Sequence, residues 1–253
     1  MRIIGVVDLL RGRAVHARAG DRGRYEPVRV VAGSAVGMGD AVALARAYVE
    51  RLGVDELYVA DLDALTGGRV QDALIADVAA LGAPFLLDAA VTSVADARHA
   101  LFLGAARVIV ALETLQAYDV MRDICTAVGG DRVVFSLDLR DGVPIVARAS
   151  GIEAEPPHIV AMHARDAGAQ SIIVIDLARV GTGRGIDLGL IARVRAATAG
   201  LTLLAGGGVR GADDLARLAD VGCDGALVAS ALHDGRIGAA DVAAARRHGS
   251  FSR

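Results

Sequence analysis

The sequence contains no lysine, so all 27 of its basic residues are arginines. Schiff-base chemistry needs an amine that loses its proton near neutral pH, whereas the pKa of arginine stays above about 12. Lysine-dependent aldolases and enzymes that hold pyridoxal phosphate through a lysine are therefore excluded.

Aromatic residues are also scarce, at 3% of the chain with no tryptophan, and the formal net charge is -3. Proteins that bind nucleic acid usually present a basic surface or aromatic platforms on which bases stack. The apolar run at residues 3 to 7 is too short for a signal peptide, and no run is long enough to span a bilayer. We therefore expect a cytoplasmic protein without a nucleic-acid or membrane partner.

Only two cysteines occur, Cys125 and Cys223. Their spacing fits neither a metal site nor a disulfide framework, so we expect both to be small buried apolar residues.

Short apolar runs alternate with alanine-rich segments of helical period, a pattern typical of repeated βα units and a parallel sheet. The eight predicted strands are Ile3 to Val7, Glu56 to Ala60, Phe85 to Leu87, Val108 to Ala111, Val133 to Leu137, Ile172 to Ile175, Leu201 to Ala205 and Gly225 to Ala229. The predicted helices are Asp40 to Leu52, Gln71 to Leu81, Val94 to Leu103, Leu115 to Ala127, Pro157 to Ala167, Leu188 to Ala197, Ala212 to Val221 and Ala239 to Arg247.

Eight such units in 253 residues predict an α/β fold, a (β/α)8 TIM barrel that forms a single domain over residues 1–253. A doubly wound open sheet is the alternative. The Gly- and Arg-rich segment from Arg11 to Gly39 is expected to be a mobile loop over the barrel mouth.

The two halves of the chain resemble each other in the same order of segments. Asp8 to Ala19 aligns with Asp138 to Ala149, Val59 to Asp72 with Val174 to Asp187, and Leu87 to Val91 with Ala205 to Val209. The pattern indicates an internal half-barrel repeat.

Six of the eight predicted strands are followed by a carboxylate: Asp8, Asp61, Asp88, Glu113, Asp138 and Asp176. A barrel has its active site at these strand ends, and a crowded group of carboxylates suits proton transfer. A single aspartate there is as often a helix cap or a turn residue. A second alternative is a Mg²⁺ or Mn²⁺ site with Asp88 and Glu113 among its oxygen ligands.

A glycine run, Gly206-Gly207-Gly208, follows the seventh predicted strand and precedes a helix. Backbone N–H groups at such a turn bind anions, and the helix N-terminus adds partial positive charge. Together with Arg210 and with Ser230 after the eighth strand, the run predicts a phosphate clamp, although plain tight turns also use glycine. The first half has Asp88-Ala89-Ala90 at the aligned positions, where a carboxylate would repel an anion. The sequence therefore predicts one phosphate clamp.

Five motifs resemble those of the histidine-biosynthesis barrels, the family of the phosphoribosylformimino aminoimidazole carboxamide ribotide isomerase and the imidazole glycerol phosphate synthase cyclase. They are Asp8 to Gly12, Ser136 to Gly142, Gly181-Thr182, Gly206 to Arg210 and Val228 to Ala231. The resemblance covers essentially the whole chain. It implies a half-repeated barrel, two phosphate sites that hold a bis-phosphorylated substrate, an Amadori rearrangement catalysed by aspartates, and no metal or other cofactor.

By this resemblance, Asp8 takes the position of the general base and Asp138 that of the aspartate that assists it. Thr182 matches the threonine of an Asp-Gly-Thr motif, in which Val180 replaces the aspartate. The acid is then Asp176 or Asp138. The chain most resembles divergent relatives associated with methanopterin-type one-carbon metabolism.

These observations predict an enzyme that isomerises or rearranges a small metabolite bearing one phosphate. We expect Asp8, Asp138 and Asp176 to be catalytic. The expected substrate- and phosphate-binding residues are Gly206, Gly207, Gly208, Arg210, Ser230, Thr182, Arg18, Asp61 and Asp88. The alternatives are the histidine-pathway isomerase itself and a binding barrel without catalysis. The sequence leaves the oligomeric state open.

Overall fold

A computed structural model of the chain describes residues 1–19, 21–148 and 150–249. Ala149, the last member of one aligned repeat segment, and residues 250–253 of the predicted domain lie outside the described residues.

Eight parallel strands form a closed barrel. They are β1 (Arg2–Leu10), β2 (Glu56–Asp61), β3 (Phe85–Asp88), β4 (Arg107–Ala111), β5 (Val133–Arg140), β6 (Ser171–Asp176), β7 (Thr202–Gly206) and β8 (Gly225–Val228). Each pairs with the next along the chain, and β8 pairs with β1 from Arg2 opposite Gly225 to Gly5 opposite Val228. This closure confirms the (β/α)8 prediction and shows that the open-sheet alternative is wrong.

A helix follows each strand on the outside of the barrel. The helices are α1 (Ala41–Arg46), α2 (Asp72–Ala79), α3 (Val94–Phe102), α4 (Tyr118–Val128), α5 (Pro157–Asp166), α6 (Leu188–Ala197), α7 (Ala212–Asp220) and α8 (Ala239–Gly249). A π-helical turn, Ala47–Arg51, continues α1. Helix α4 begins three residues later than the sequence predicts, because the amide of Leu115 bonds the carbonyl of Ala111 in the turn after β4.

Side chains of each strand point alternately into the barrel and towards the helices. On β1, Ile4 belongs to the core inside the barrel, whereas Ile3, Val7 and Leu9 belong to the core beneath the helices. Asp8 has the same parity as Ile4 and therefore faces the inside of the barrel at its C-terminal end.

The N-terminal end of the barrel is closed by an ion-pair cluster. The buried carboxylate of Glu56 accepts hydrogen bonds from Arg2 at 3.3 Å and from Arg107 at 2.5 Å. The cavity described below therefore opens at the other end.

The segment from Arg11 to Gly39 lies across the barrel mouth and carries four short strands. Arg13–His16 pairs with β1 and with Glu26–Pro27, while Val30–Val31 pairs with Ser34–Ala35. The amide of Ala19 donates to the carbonyl of Val180, which follows β6. The segment is thus partly strand rather than only loop.

Both cysteines are buried and unpaired, as the sequence predicts. Burial raises the pKa of the Cys125 thiol to about 11 and that of Cys223 to about 12. No helix within the described ranges is long and apolar enough to cross a membrane.

Candidate active site

A cavity of about 310 Å³ opens at the C-terminal ends of the strands. Of the residues predicted from the sequence, it is lined by Asp8, Asp88, Glu113, Asp138, Gly206, Gly207, Gly208, Arg210 and Ser230. The structure thus brings most of the predicted site together in one place.

Carboxylates and a tyrosine line one side of this cavity. The hydroxyl of Tyr58 on β2 donates to Asp88 Oδ2 at 2.7 Å. The hydroxyl of Ser136 donates to Asp138 Oδ1 at 2.9 Å on β5. Burial, followed by the charges of Asp88, Asp138 and Asp8, raises the pKa of Tyr58 well above its usual value. Tyr58 is therefore a permanent hydrogen-bond donor among three carboxylates.

Tyr58 was missed by the sequence reasoning, which considered only residues just beyond each strand. Its position two residues before Ala60 on β2 gives it the inward parity of that strand. Both faces of β2 are buried and apolar, so no alternation of polarity in the sequence marks this parity.

Asp61 does not line the cavity. It is fully buried, and its carboxylate accepts hydrogen bonds from the amides of Asp63 at 3.1 Å and Ala64 at 3.2 Å. It also accepts from the backbone amide of Gln71 at 2.7 Å and from the side chain of Gln71 at 2.9 Å. The predicted substrate-binding role is not supported, because these contacts use the carboxylate to fold the loop after β2.

Asp176 has a corresponding structural environment after β6. Its carboxylate accepts from the amides of Asp141 at 3.0 Å and Gly142 at 3.2 Å, and from Ala178 at 3.1 Å. Arg179 adds a contact at 3.2 Å. Asp176 is outside the set of cavity-lining residues, so the geometry does not favour it as the catalytic acid.

The glycine turn presents backbone to the opposite side of the cavity. Gly207 has φ +82° and Gly208 has φ +116°, a region that side chains rarely adopt. A Cβ atom at Gly207 would lie 2.7 Å from the carbonyl oxygen of Asp176, and one at Gly208 would lie 2.8 Å from that of Gly185. Both positions therefore require glycine for packing of the backbone, as well as leaving room for a ligand.

Two arginines flank this turn. Arg210 binds Asp214 through Nε at 2.8 Å and Nη2 at 2.7 Å, and this pairing lowers the pKa of Asp214. Arg236, which the sequence reasoning missed, lines the cavity and donates from Nη1 to the carbonyl of Arg210 at 3.0 Å. It also pairs with Asp234. No local pattern in the sequence marks Arg236, and the pairing of β7 with β8 brings it beside Arg210.

Two other predicted residues, Thr182 and Arg18, stand outside the cavity lining, as does the neighbouring Arg184. Thr182 is exposed, and its hydroxyl donates to the carbonyl of Arg179 at 2.8 Å. Arg18 is exposed on the mouth segment, and Arg184 binds Asp141 at 3.0 Å on the surface. Val180 does line the cavity, so an apolar group occupies the place of the aspartate in the related motif.

The turn Asp88-Ala89-Ala90, which aligns with the glycine turn, contributes different groups to the main cavity. Asp88 lines the main cavity, whereas Ala89 and Ala90 line a separate one of about 240 Å³. The two turns are otherwise held alike, since the amide of Thr92 bonds Asp96 at 3.1 Å and that of Arg210 bonds Asp214 at 2.9 Å. In the main cavity the glycine turn after β7 lies across the barrel from Asp88 on β3, whereas Asp8 lies on β1, next to β8.

Metal ligation was the other possibility for the acidic side. Within residues 1–19, 21–148 and 150–249, no group of three or more His, Cys, Asp or Glu side chains is arranged to hold a metal ion.

The fold and the site define a class: (β/α)8 barrels with a ligand-sized cavity at the C-terminal face, here with acidic and glycine-lined sides. The chain belongs to the family described as "Histidine biosynthesis protein", whose sequence profile matches residues 2–238. The family predicted from the sequence motifs is thereby confirmed.

Curated relatives are named as isomerases of an imidazole-4-carboxamide compound, and the name of that compound includes two phosphoribosyl groups. The protein of Thermus thermophilus is 34% identical over 239 residues, covering 94% of this chain and 96% of its own. The protein of Deinococcus radiodurans is 32% identical, covering 93% of this chain and 95% of its own. The protein of Rubrobacter xylanophilus is 35% identical, covering 92% of each chain.

Proposed function

We propose that this protein is an enzyme that isomerises or rearranges a small metabolite carrying one phosphate, by acid–base catalysis between carboxylates. The observation that carries the proposal is the lining of one ligand-sized cavity, which the glycine turn after β7 shares with Asp8, Asp88 and Asp138 on β1, β3 and β5. Its family relatives, named as isomerases, support the reaction class.

The phosphate would lie against Gly206 to Gly208 and Ser230. Backbone amides at a helix N-terminus favour an anion, and here α7 begins at Ala212, directly after the turn. Arg236 adds a positive charge at the cavity wall, and a hydrogen bond from an arginine to a phosphate oxygen is among the stronger kinds.

The reaction would take place at the acidic side. Asp8 would remove a proton from carbon, as the position of the general base in the related barrels implies. We assign the acid to Asp138 rather than Asp176, because Asp138 lines the cavity while Asp176 is occupied by backbone amides. Tyr58 would donate a hydrogen bond that keeps Asp88 in place beside them.

The reacting end of the substrate is a cationic, imine-bearing or polyhydroxylated group. A second phosphate there would face Asp8, Asp88, Glu113 and Asp138. Two like charges 4 Å apart repel by about 4 kcal/mol at the effective dielectric of a protein surface. The substrate we propose therefore differs from that of relatives whose name includes two phosphoribosyl groups.

A second candidate is the histidine-pathway isomerase itself. Asp8 and Asp138 at the cavity favour it, as does the identity of 34% with the Thermus thermophilus isomerase. The apolar side chain of Val180 in the cavity wall favours the other alternative, a barrel that binds a ligand without catalysis. The association with one-carbon metabolism stays a prediction, because the cavity geometry does not bear on it.

The phosphate anchor is tested by calorimetric titration with inorganic phosphate. We expect wild type to bind and Ser230→Asp to lose binding at least tenfold, because the new carboxylate would lie where the anion binds. Substitution of Gly207 is less informative, since its Cβ would collide with the backbone of Asp176.

Gln116→Glu is the matched control. It adds the same charge at an exposed position outside the cavity lining, where the Gln116 side chain donates to the carbonyl of Thr114 at 3.4 Å. We expect its phosphate affinity to equal that of wild type. Failure of wild type to bind phosphate, or equal binding by Ser230→Asp, would contradict the anchor.

A further inference from the structure

Four apolar side chains of the cavity wall take no part in the proposed reaction or in the phosphate anchor. Leu62 and Leu65, which we call the leucine pair, belong to the short helix that follows β2. Leu177 and Val180, which we call the β6 pair, belong to the turn that follows β6. Both pairs line the same cavity as the glycine turn and the carboxylates.

The order of the strands places the two pairs on opposite sides of the barrel mouth. β2 and β6 are four strands apart in a closed barrel of eight, so the turns that follow them lie across the mouth from each other. β3 and β7 are opposed in the same way, with Asp88 at the end of β3 and the glycine turn after β7. A ligand that extends from the glycine turn towards Asp88 therefore passes between the leucine pair and the β6 pair.

These side chains form an apolar surface that is continuous with the barrel interior. Leu65, Leu177 and Val180 are partly buried and pack against the apolar core inside the barrel. Leu62 belongs to that core and is 6% exposed. Tyr25 of the mouth segment packs against the same core and also lines the cavity. The cavity thus has apolar flanks between its polar ends.

Backbone contacts hold Val180 at the cavity wall. Its amide donates to the carbonyl of Leu177 at 3.3 Å, and its carbonyl accepts from the amide of Ala19 at 2.9 Å. A Cβ atom at the next residue, Gly181, would lie 2.6 Å from the carbonyl oxygen of Ala17. The chain therefore presents an apolar group at a fixed point of the wall, where the related motif has an aspartate.

A sugar would be poorly matched to these flanks. Its hydroxyl groups would lose water and find no hydrogen-bond partner on leucine and valine side chains, and each such group costs free energy. An apolar ring between the same flanks removes hydrocarbon surface from water, which is favourable. The ligand that fits the whole cavity therefore has polar ends and an apolar body.

We propose that the ligand is a phosphate monoester whose body is an apolar ring, such as a benzene ring, rather than a sugar. The ring would lie between the leucine pair and the β6 pair. The phosphate rests on the proposed function, whereas the apolar ring rests on the flanking side chains. Leu65 and Val180 are then residues that determine specificity for the body of the ligand.

Calorimetry on the full chain compares inorganic phosphate, ribose 5-phosphate and benzyl phosphate. We expect benzyl phosphate to bind at least tenfold more tightly than ribose 5-phosphate, because its ring is buried without unpaired hydroxyl groups. Equal affinities, or tighter binding of ribose 5-phosphate, would overturn the apolar ring.

Two variants add a polar group, one on each flank of the cavity. Val180→Thr keeps the shape of the side chain and adds a hydroxyl, while Leu65→Gln adds an amide on the other flank. We expect each to lower the ratio of benzyl phosphate affinity to inorganic phosphate affinity by about threefold or more.

Val143→Thr is the matched control, because Val143 is 61% exposed and lies outside the cavity lining. It should keep the ratio of wild type. A ratio that neither Val180→Thr nor Leu65→Gln lowers would overturn the proposal.

Methyl NMR locates the ring without relying on the phosphate. Benzyl alcohol carries the ring and no phosphate, and the ring current of benzene shifts the resonances of methyl groups beside it. We expect benzyl alcohol to shift the methyl resonances of Leu65 and Val180 and to leave those of Val143 unchanged. Shifts that spare Leu65 and Val180 would overturn the ring site. Absence of inorganic phosphate binding by wild type would overturn the anchor alone, since the methyl shifts would still decide where the ring binds.

Discussion

His233 is a buried histidine whose pKa is lowered in the folded chain. Its pKa is about 3 in the folded chain because of burial, against about 6.5 for an unperturbed histidine. Between these two pH values the unfolded chain binds the proton and the folded chain does not. The contribution of neutral His233 to the free energy of unfolding is therefore complete above about pH 6.5 and is lost as the pH falls towards 3.

We predict that wild type loses stability between pH 6 and 4 more steeply than His233→Gln, by about 1.4 kcal/mol per pH unit. The measurement is the free energy of unfolding in urea at pH 7, 6, 5 and 4. Carboxylates elsewhere titrate in both proteins and cancel in the comparison. Parallel curves for the two proteins would show that His233 is not held neutral by the fold.

The aspartates at the strand ends show how much a single residue's role depends on parity. Asp8 and Asp138 share the inward face with Ile4 and Val134, whereas Asp61 and Asp176 share the outward face with the neighbouring apolar core. Both faces of a barrel strand are apolar, so the sequence shows no alternation of polarity. The carboxylates could be located at the barrel mouth from the sequence, but not sorted into lining and structural groups.

The turns after β1 and β5 belong to aligned segments of the sequence, and they have similar backbone dihedral angles. The turn after β1 has positive φ at Arg11 (+51°) and Gly12 (+76°), and the turn after β5 has it at Asp141 (+50°) and Gly142 (+80°). Asp176 binds the amides of the second turn directly, while Asp63 and Gln71 bind those of the first. The two turns therefore have the same backbone conformation, while the half-barrel repeat itself stays a prediction.

The carboxylate of Asp61 holds the loop after β2. Its removal should therefore lower the stability of the fold and leave ligand binding unchanged. Asp61→Ala leaves several buried donors without an acceptor, and we predict a loss of about 3–5 kcal/mol in the free energy of unfolding. Phosphate affinity of the remaining folded protein should be unchanged.

Asp72→Ala provides the comparison in the same region. Asp72 is half exposed and pairs only with His99, so its removal should change stability by less than about 1 kcal/mol. An Asp61→Ala protein as stable as wild type but unable to bind phosphate would return Asp61 to the binding site.

The regular elements were predictable because each carries its own periodicity. The strands and helices of the barrel follow the predicted ranges closely. The short strands between Arg11 and Gly39, and the helix Ser230–His233, were not predicted. Their order depends on contacts between remote segments, such as the bond from the amide of Ala32 to the carbonyl of Leu232.

At the scale of the molecule, closure between β1 and β8 joins the two ends of the sequence into one site. It brings His16 to His233 and places Asp8 on the strand next to the one that ends before Ser230. Sequence reasoning anticipated the closed barrel, whereas the asymmetry of its mouth stays a prediction. It did not anticipate the histidine pair, because residues 217 positions apart share no local pattern.

The central claim is that the cavity binds one phosphate and repels a second. The most direct test compares the affinities of a monophosphate and a bisphosphate. We predict by calorimetry that ribose 5-phosphate binds at least tenfold more tightly than ribose 1,5-bisphosphate, because the second phosphate would face the carboxylates. Tighter binding of the bisphosphate would contradict the account and favour the histidine-pathway isomerase.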